Sequence, residues 1–326
     1  MIIKPFEARE NDLLTLTQLL SLPHIPQETQ HKIQQEIKKI QSGIKGEKEA
    51  AYQIDFHYAE SKNWMVIHDL RLEFNGLTAQ IDHLLINRFL EIYVCESKNF
   101  SEGIAINEQG EFSAFYQRKP YGIPSPIEQN NRHIALLKKL FDGDAVDLPS
   151  RLGFKMKPTL ISLILIANSA RISRPNNGRS IQGLDRIIKM EQIKSKIEKD
   201  INNPALMMTT VKLVSSETLQ IFAESLASLH QAANIDWYAR FGISHIEAVC
   251  TDMEEPVSVV DQPIENKSAA TKADTAAKAE EPAKRLICAT CGVKVNYHVG
   301  VFCWRNKKRF HGDVYCYECQ KKIPAA

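Results

Sequence analysis

The chain has no run of eighteen apolar residues, and its longest, near Leu160 to Ala167, is too short to span a bilayer. A membrane partner is therefore not expected. The opening residues, Met1-Ile2-Ile3-Lys4-Pro5-Phe6-Glu7, lack the charged leader and apolar block of a secretory signal. Excess charge is also scarce. With 41 Lys and Arg against 39 Asp and Glu, a net of +2 is too small to argue for nucleic acid by itself. A secreted disulfide framework is missing too, because four of the seven cysteines fall in metal-ligand spacing. Cys95 and Cys250 lie in apolar surroundings and read as buried thiols. These absences together predict a cytoplasmic protein.

What is present fits one substantial core and a small module. The 326 residues are 44% hydrophobic and 25% charged, ordinary for a soluble globular chain. Residues 1–30 read as an irregular arm with a short helix near Asp12 to Leu20. From Gln27 to about Glu60 the isoleucines at 33, 37, 40 and 44 keep helical steps, weakened locally by Gly43 and Gly46. Trp64 to Phe74 alternates as a strand, with Val66, His68, Leu70 and Leu72 on one face. Asn75-Gly76 marks a turn. Strands follow near Thr78 to Ile86 and Leu90 to Ser97, then a polar-tipped hairpin over Ile104 to Tyr116. Pro126 opens a helix running to about Phe141, and Thr159 to Ala167 reads as a buried strand. The order is αβββαβ. Residues 171–250 form a helical accessory region, with helices near Met190 to Ile201 and Glu217 to Gln231. Residues 251–285, with Pro256, Pro263 and Pro282 and no apolar periodicity, read as a flexible linker.

Two of the predicted strands carry a distinctive set of polar residues. Asp82 sits in Gln80-Ile81-Asp82-His83, and Glu96 and Lys98 sit in Cys95-Glu96-Ser97-Lys98-Asn99-Phe100. Alternate side chains of a strand share a face, so Glu96 and Lys98 point one way and Ser97 the other. A hairpin turning near Arg88 to Leu90 sets Asp82 opposite Glu96. Two converging carboxylates suit a hard cation such as Mg²⁺ or Mn²⁺, and a neighbouring ammonium suits the charge that develops in phosphodiester hydrolysis. By itself the pattern also describes polar residues at a strand end.

The neighbouring motifs add to that reading. Gly46-Glu47 lies in the first helix, and Pro126-Ile127-Glu128-Gln129-Asn130-Asn131-Arg132-His133 opens the next. The order Gly-Glu, Gln-Ile-Asp-His, Glu-x-Lys-Asn-Phe, Pro-x-x-Gln-x-x-x-His resembles the nuclease-related domain (NERD) of the PD-(D/E)xK, restriction-endonuclease-like superfamily. The likeness runs from about Ile44 to about Phe141. It implies an α/β fold, a restriction-endonuclease-like mixed sheet flanked by helices, over residues 31–170. It also implies that Asp82 and Glu96 hold the metal, that Lys98 is the catalytic lysine, that Glu47 is a further acidic site residue, and that Gln129 reaches the site from the helix. Asn99 and His133 match the pattern without an assigned role. His83 reads as a structural histidine as readily as a catalytic one.

The tail, residues 286–326, carries Cys288-x2-Cys291 and Cys316-x2-Cys319 with 24 residues between the pairs. Two such knuckles close a tetrahedral Zn²⁺ site, and a segment of about 40 residues needs a metal to fold as a small zinc ribbon. His298, Cys303 and His311 lie in the gap, so another ligand set stays open. Seven Lys and Arg against Asp313 and Glu318 leave the tail at +5, interleaved with Tyr297, Phe302, Trp304, Phe310, Tyr315 and Tyr317. Cations bind phosphates and aromatic faces stack on bases, although the rings equally serve as the ribbon's own core. The segment resembles the four-cysteine zinc finger at the ends of bacterial type I topoisomerases, which implies contact with DNA.

The leading expectation is a metal-dependent DNA nuclease, a hydrolase, with a zinc module on DNA; RNA stays open as a substrate. The alternatives are a non-cleaving DNA-binding or DNA-processing accessory protein and a protein-interaction adaptor whose zinc module meets a protein partner.

Overall fold

The computed structural model describes residues 1–143, 145–151, 153–178, 181–202, 213–243 and 287–295, and within 299–323 residues 299, 303, 307–311, 313–320, 322 and 323. The chain forms two compact units, Met1–Pro256 and Val257–Ala326. The linker expected over 251–285 lies outside the described residues, as does Cys250.

The first unit is mixed α/β. Its strands are β1 (Ile2–Lys4), β2 (Trp64–Phe74), β3 (Leu77–Asn87), β4 (Glu91–Lys98), β5 (Gly103–Ile106), β6 (Phe112–Tyr116), β7 (Lys119–Ile123), β8 (Ser150–Arg151), β9 (Phe154–Lys155), β10 (Thr159–Ile166), β11 (Arg171–Ser173) and β12 (Ile187–Lys189). Its helices are α1 (Glu10–Leu20), α2 (Gln27–Tyr58), α3 (Pro126–Asp142), α4 (Ile193–Ile201), α5 (Ser216–Ser228) and α6 (Trp237–Phe241). The stretch α2-β2-β3-β4-α3-β10 follows the expected αβββαβ order. The main sheet runs β1-β2-β3-β4-β10-β12, with β2, β3 and β4 antiparallel and β1, β10 and β12 joined in parallel.

The two faces of this sheet bury separate cores. On one face, α2 and α4 pack Ala50, Ile54, Tyr58, Ile193 and Ile197 against Val66, Leu85, Tyr93 and Leu163. On the other, α3 and α5 pack Leu136, Leu137, Leu140, Leu219 and Phe222 against Ile67, Leu84, Ile92 and Val94. Replacing one of these fully buried leucines by Ala costs about 2–5 kcal/mol. A third cluster joins α1, α2 and α6 through Leu16, Leu19, Ile33, Ile40 and Trp237.

Four features differ from the sequence reading. The N-terminal arm is not irregular, since Ile2–Lys4 pairs along β2 as an edge strand; three residues are too few to show an alternation. The region after β10 is not helical alone: β12 extends the main sheet, and α4 and α5 each cover a face of it. The loop after β4 holds one strand more than expected, giving a second sheet in the order β11-β5-β6-β7.

The fourth difference touches the site. Val66, His68, Leu70 and Leu72 do not share a face. Val66 belongs to the core under α2, and Leu70 and Leu72 belong to the opposite core. The backbone between them inverts at Asp69, which has φ of 52°. In β3 the same reversal falls between Ile81 and Leu84, both of which serve the α3 side despite unequal parity. The pairing of the two strands keeps its register across the reversal, from His68↔His83 to Leu70↔Ile81.

Candidate active site

Glu47 comes from α2, Asp82 from β3, Glu96 and Lys98 from the end of β4, and Gln129 from the first turn of α3. All five line one cavity of about 340 Å³, together with Ser97 and Asn99. Local contacts set each of them in place. Ser125 caps α3 by accepting a hydrogen bond from Glu128 N, and Pro126 occupies the first helical position. That start sets Gln129 one turn into the helix, where its Nε2 donates to Glu96 Oε1 at 2.7 Å. Asn130 ties the same turn to the sheet through Val94 O at 2.7 Å.

Glu96 is the most enclosed of the acids. Its Oε1 also accepts from Lys98 Nζ at 2.6 Å. Its Oε2 is buried with no hydrogen-bond partner among the described residues. Burial, then the nearby Asp82 charge, pushes the Glu96 carboxyl up to about 8, against the pull of Lys98. Burial and Asp82 likewise push Glu47 up to about 7. Asp82 is raised by burial, although Ser97 holds it back by donating from both its backbone N–H and its hydroxyl to Oδ2, each at 2.7 Å.

This differs from a carboxylate that simply faces Glu96 across the hairpin. The β3–β4 register ends at His83↔Cys95, one residue short of Asp82 and Glu96. The phase reversal in β3 gives Asp82 to Ser97, a residue expected to point away from the site. Nothing in the residue pattern signals this, because one left-handed residue on the neighbouring strand sets it.

His133 lies with its Nδ1 3.5 Å from Glu96 Oε2. The contact is not an ion pair. Burial and the Lys98 charge hold the imidazole at about 4, so it is neutral near pH 7, and Nδ1 makes no hydrogen bond. His83 faces away from the cavity. Its Nδ1 meets His68 Nδ1 at 2.7 Å, and His68 Nε2 meets Asp55 Oδ1 at 2.9 Å, so these buried rings tie β3 and β2 to α2. Asn99 donates to Ser42 O at 3.0 Å and pins the end of β4 to α2. A neighbouring cleft shares Glu47, Gln80 and Asp82 with the cavity and adds Glu7, Arg9, Asp12 and Asp69.

The second unit is built on its cysteines. Among the described residues, Cys288, Cys291, Cys316 and Cys319 are the one group of three or more His, Cys, Asp or Glu poised to hold a metal ion, with all four Sγ atoms within 4.8 Å of one another. Glu47, Asp82 and Glu96 do not form a second such group. Four sulfurs at about 2.3 Å from a tetrahedral Zn²⁺ sit about 3.8 Å apart, and Cys291 and Cys316 are separated by 3.6 Å. The set is compatible with a structural zinc. Cys303 stands apart from it, buried, with Sγ accepting from Tyr315 N and Gln320 Nε2 at 3.3 Å each. His311 is exposed and outside the group; His298, Tyr297, Phe302 and Trp304 lie outside the described residues. Phe310 is fully buried and packs on Tyr315 with ring centroids 5.7 Å apart, so these two aromatics belong to the module's interior.

Residues 42–163 match the family model of the nuclease-related domain, NERD. The span runs from the second half of α2 into β10 and includes every residue of the cavity. Comparisons with curated proteins and with solved structures gave no match. The matched domain is a nuclease-related one. No helix among the described residues is long and apolar enough to cross a membrane.

Proposed function

We propose that the chain is a metal-dependent nuclease that hydrolyses DNA phosphodiester bonds at the Glu96 cavity, with its cysteine module contacting DNA. The observation that carries this reading is the state of Glu96. One oxygen is held by Lys98 and Gln129 while the other is buried without a partner. An orphaned carboxylate oxygen beside two further acids is a poor arrangement for stability alone. It fits a hard divalent cation, Mg²⁺ or Mn²⁺, with Asp82 and Glu96 as ligands and Glu47 assisting. Such a cation would supply Lewis-acid stabilisation of the phosphoryl oxygens and lower the pKa of water.

The chain's own groups do the rest. Ser97 holds Asp82 through Oδ2, and among the described residues no donor meets Oδ1. Gln129 and Lys98 fix the Glu96 carboxylate from two directions. Lys98 is also the one cation among the described residues that line the cavity, placed to orient the attacking water or to offset charge on the phosphoryl group. His133, neutral, lies beside Glu96, its Nδ1 3.5 Å from Oε2. In the tail, zinc on the four cysteines would give the small module its fold, and the +5 charge would give it phosphate contacts. Zinc-bound thiolates and the buried thiol of Cys95 suit a reducing compartment, which supports a cytoplasmic setting for the activity.

The test is incubation of metal-stripped protein with linear, nicked and circular DNA, and with RNA, with and without Mg²⁺ or Mn²⁺. Cleavage of DNA that requires the added cation is the expected result. DNA binding without cleavage under every cation would overturn the catalytic reading in favour of a non-cleaving accessory protein. Neither binding nor cleavage would leave the adaptor reading.

A further inference from the structure

The hairpin β6–β7 extends the buried face of its sheet into solvent. Phe112 and Ala114 at its base are 3% and 1% exposed, while Tyr116 and Tyr121 are 65% and 51% exposed. The register pairs Tyr116 with Lys119 and Ala114 with Tyr121, so Tyr116, Lys119 and Tyr121 share one face. From Phe115 to Ile123 there are two cations, Arg118 and Lys119, and no acid.

The turn between the strands is held from outside. Gln117 and Arg118 are both left-handed, with φ of 50° and 62°, in a turn that ordinarily takes Asn or Gly. The Glu102 carboxylate accepts from both of their backbone N–H groups, at 2.6 and 2.8 Å. Glu102 is four residues beyond Lys98, so its Cα lies at most about 14 Å from that of Lys98. On the other side, β7 runs directly into α3, which carries Gln129 to Glu96. The aromatic face is therefore fastened at both ends to the elements that build the cavity.

We infer that this hairpin is a stacking platform for an unpaired DNA strand entering the Glu96 cavity, with Tyr116 and Tyr121 against bases and Arg118 and Lys119 on phosphates. Aromatic faces in water and two cations match the chemistry of a single strand, whose bases offer free π-faces; the one acid at the tip, Glu102, is engaged by the turn's own N–H groups. A duplex hides those faces inside its stack. The inference rests on the nuclease reading and deepens it by naming an unpaired strand as the substrate class.

The test uses the full chain carrying Glu96→Gln, so that bound DNA stays intact. It is titrated with a labelled single-stranded oligonucleotide, with the matching duplex and with single-stranded RNA of the same sequence. The pair Tyr116→Ala and Tyr121→Ala should weaken single-strand DNA binding by at least about tenfold, the effect of losing one or two stacked bases, and duplex binding by less than about twofold. Tyr116→Trp with Tyr121→Trp should restore the affinity. Unchanged single-strand affinity, equal loss on both DNA forms, failure of the tryptophan pair to restore it, or a preference for RNA would overturn the inference.

Should the alanine pair unfold, photocrosslinking of an iodouracil-substituted strand to the unmutated hairpin decides. Adducts within residues 115–123 support the platform, and adducts only elsewhere overturn it. Cleavage by wild-type protein with Mn²⁺ is scored separately. Hairpin-dependent binding without cleavage removes the nuclease reading and keeps the platform. Cleavage with hairpin-independent binding does the reverse.

Discussion

A Cβ placed on Gly46 would lie 2.6 Å from the Asn99 Cβ, so α2 and the end of β4 touch at a point where no side chain fits. That contact brings Glu47, the next residue on the helix, to the cavity that Lys98, the residue before Asn99, also lines. Gly46→Ala should force the helix off the strand, cost about 1–3 kcal/mol as overpacking does, and reduce cleavage. Gly43→Ala, one turn earlier, meets only the Glu47 side chain at 3.5 Å. It should instead stabilise the helix by up to about 1 kcal/mol. Thermal melts of the two variants with a cleavage assay check both signs.

Glu96→Gln should fold and lose metal-dependent cleavage by on the order of a hundredfold or more, as removal of a group that acts in the transition state does. The amide keeps the shape and a carbonyl acceptor for Lys98 and Gln129, and loses the charge that would hold a cation. Lys98→Ala should lose turnover while keeping much of the metal binding. Single-turnover cleavage paired with calorimetric Mn²⁺ titration separates the two. Wild-type rates in either variant would remove that residue from the mechanism.

The pH dependence has a defined sign. Burial and neighbouring acids raise Glu47 to about 7 and Glu96 to about 8 in the metal-free protein. A carboxyl raised on folding contributes stability that is fully present below its unfolded value of about 4.3 and is lost as pH rises through the folded value. The metal-free melting temperature should therefore fall as pH rises from about 4 to about 8. Cations compete with those protons, so Mg²⁺ or Mn²⁺ should bind more tightly at pH 8 than at pH 6 and release protons on binding. Calorimetry in buffers of different ionisation enthalpy counts them.

Chelation should remove one Zn²⁺ per chain and abolish the order of the cysteine module, since so short a segment has little core of its own. The melting transition of the first unit should not move, because the two units are separately compact. Replacing Cys303 by Ser should leave the zinc count unchanged, as its sulfur serves Tyr315 and Gln320. Elemental analysis and circular dichroism before and after chelation provide the check. Deleting the tail should also flatten the salt dependence of DNA binding, by about 0.7–0.9 in log-log slope per lost phosphate contact.

Much of this was legible in the residues, and the parts that were not have physical reasons. The strand parity of Glu96 and Lys98, the proline start of α3 and the cysteine spacing are local signals, and β2, β3, β4, α3 and β10 each lie within a residue or two of where their pattern sets them. Gly46 reads locally as a weak point in a helix. Its use is a contact with Asn99, far along the chain, which no local pattern records. The strand Lys119–Ile123 is hidden because Pro120 and Gly122 both argue against a strand, and it survives at the edge of its sheet, where proline is tolerated. Ser97 could not be assigned to Asp82 from alternation, because alternation itself fails at Asp69.

That failure carries a consequence for how the chain tolerates insertions and deletions. Since β2 and β3 invert together with their register intact, each strand needs its own reversal to send its apolar residues to the correct core. Removing one residue near Asp69 would slip the pairing by one and turn Leu70 and Leu72 away from their core. Removing one residue near Asp82 would do the same to Ala79 and Ile81. A matched pair of deletions would keep the pairing and straighten both strands together, so two losses should be gentler on the hairpin than either alone, although the seat of Asp82 on Ser97 would be lost with them.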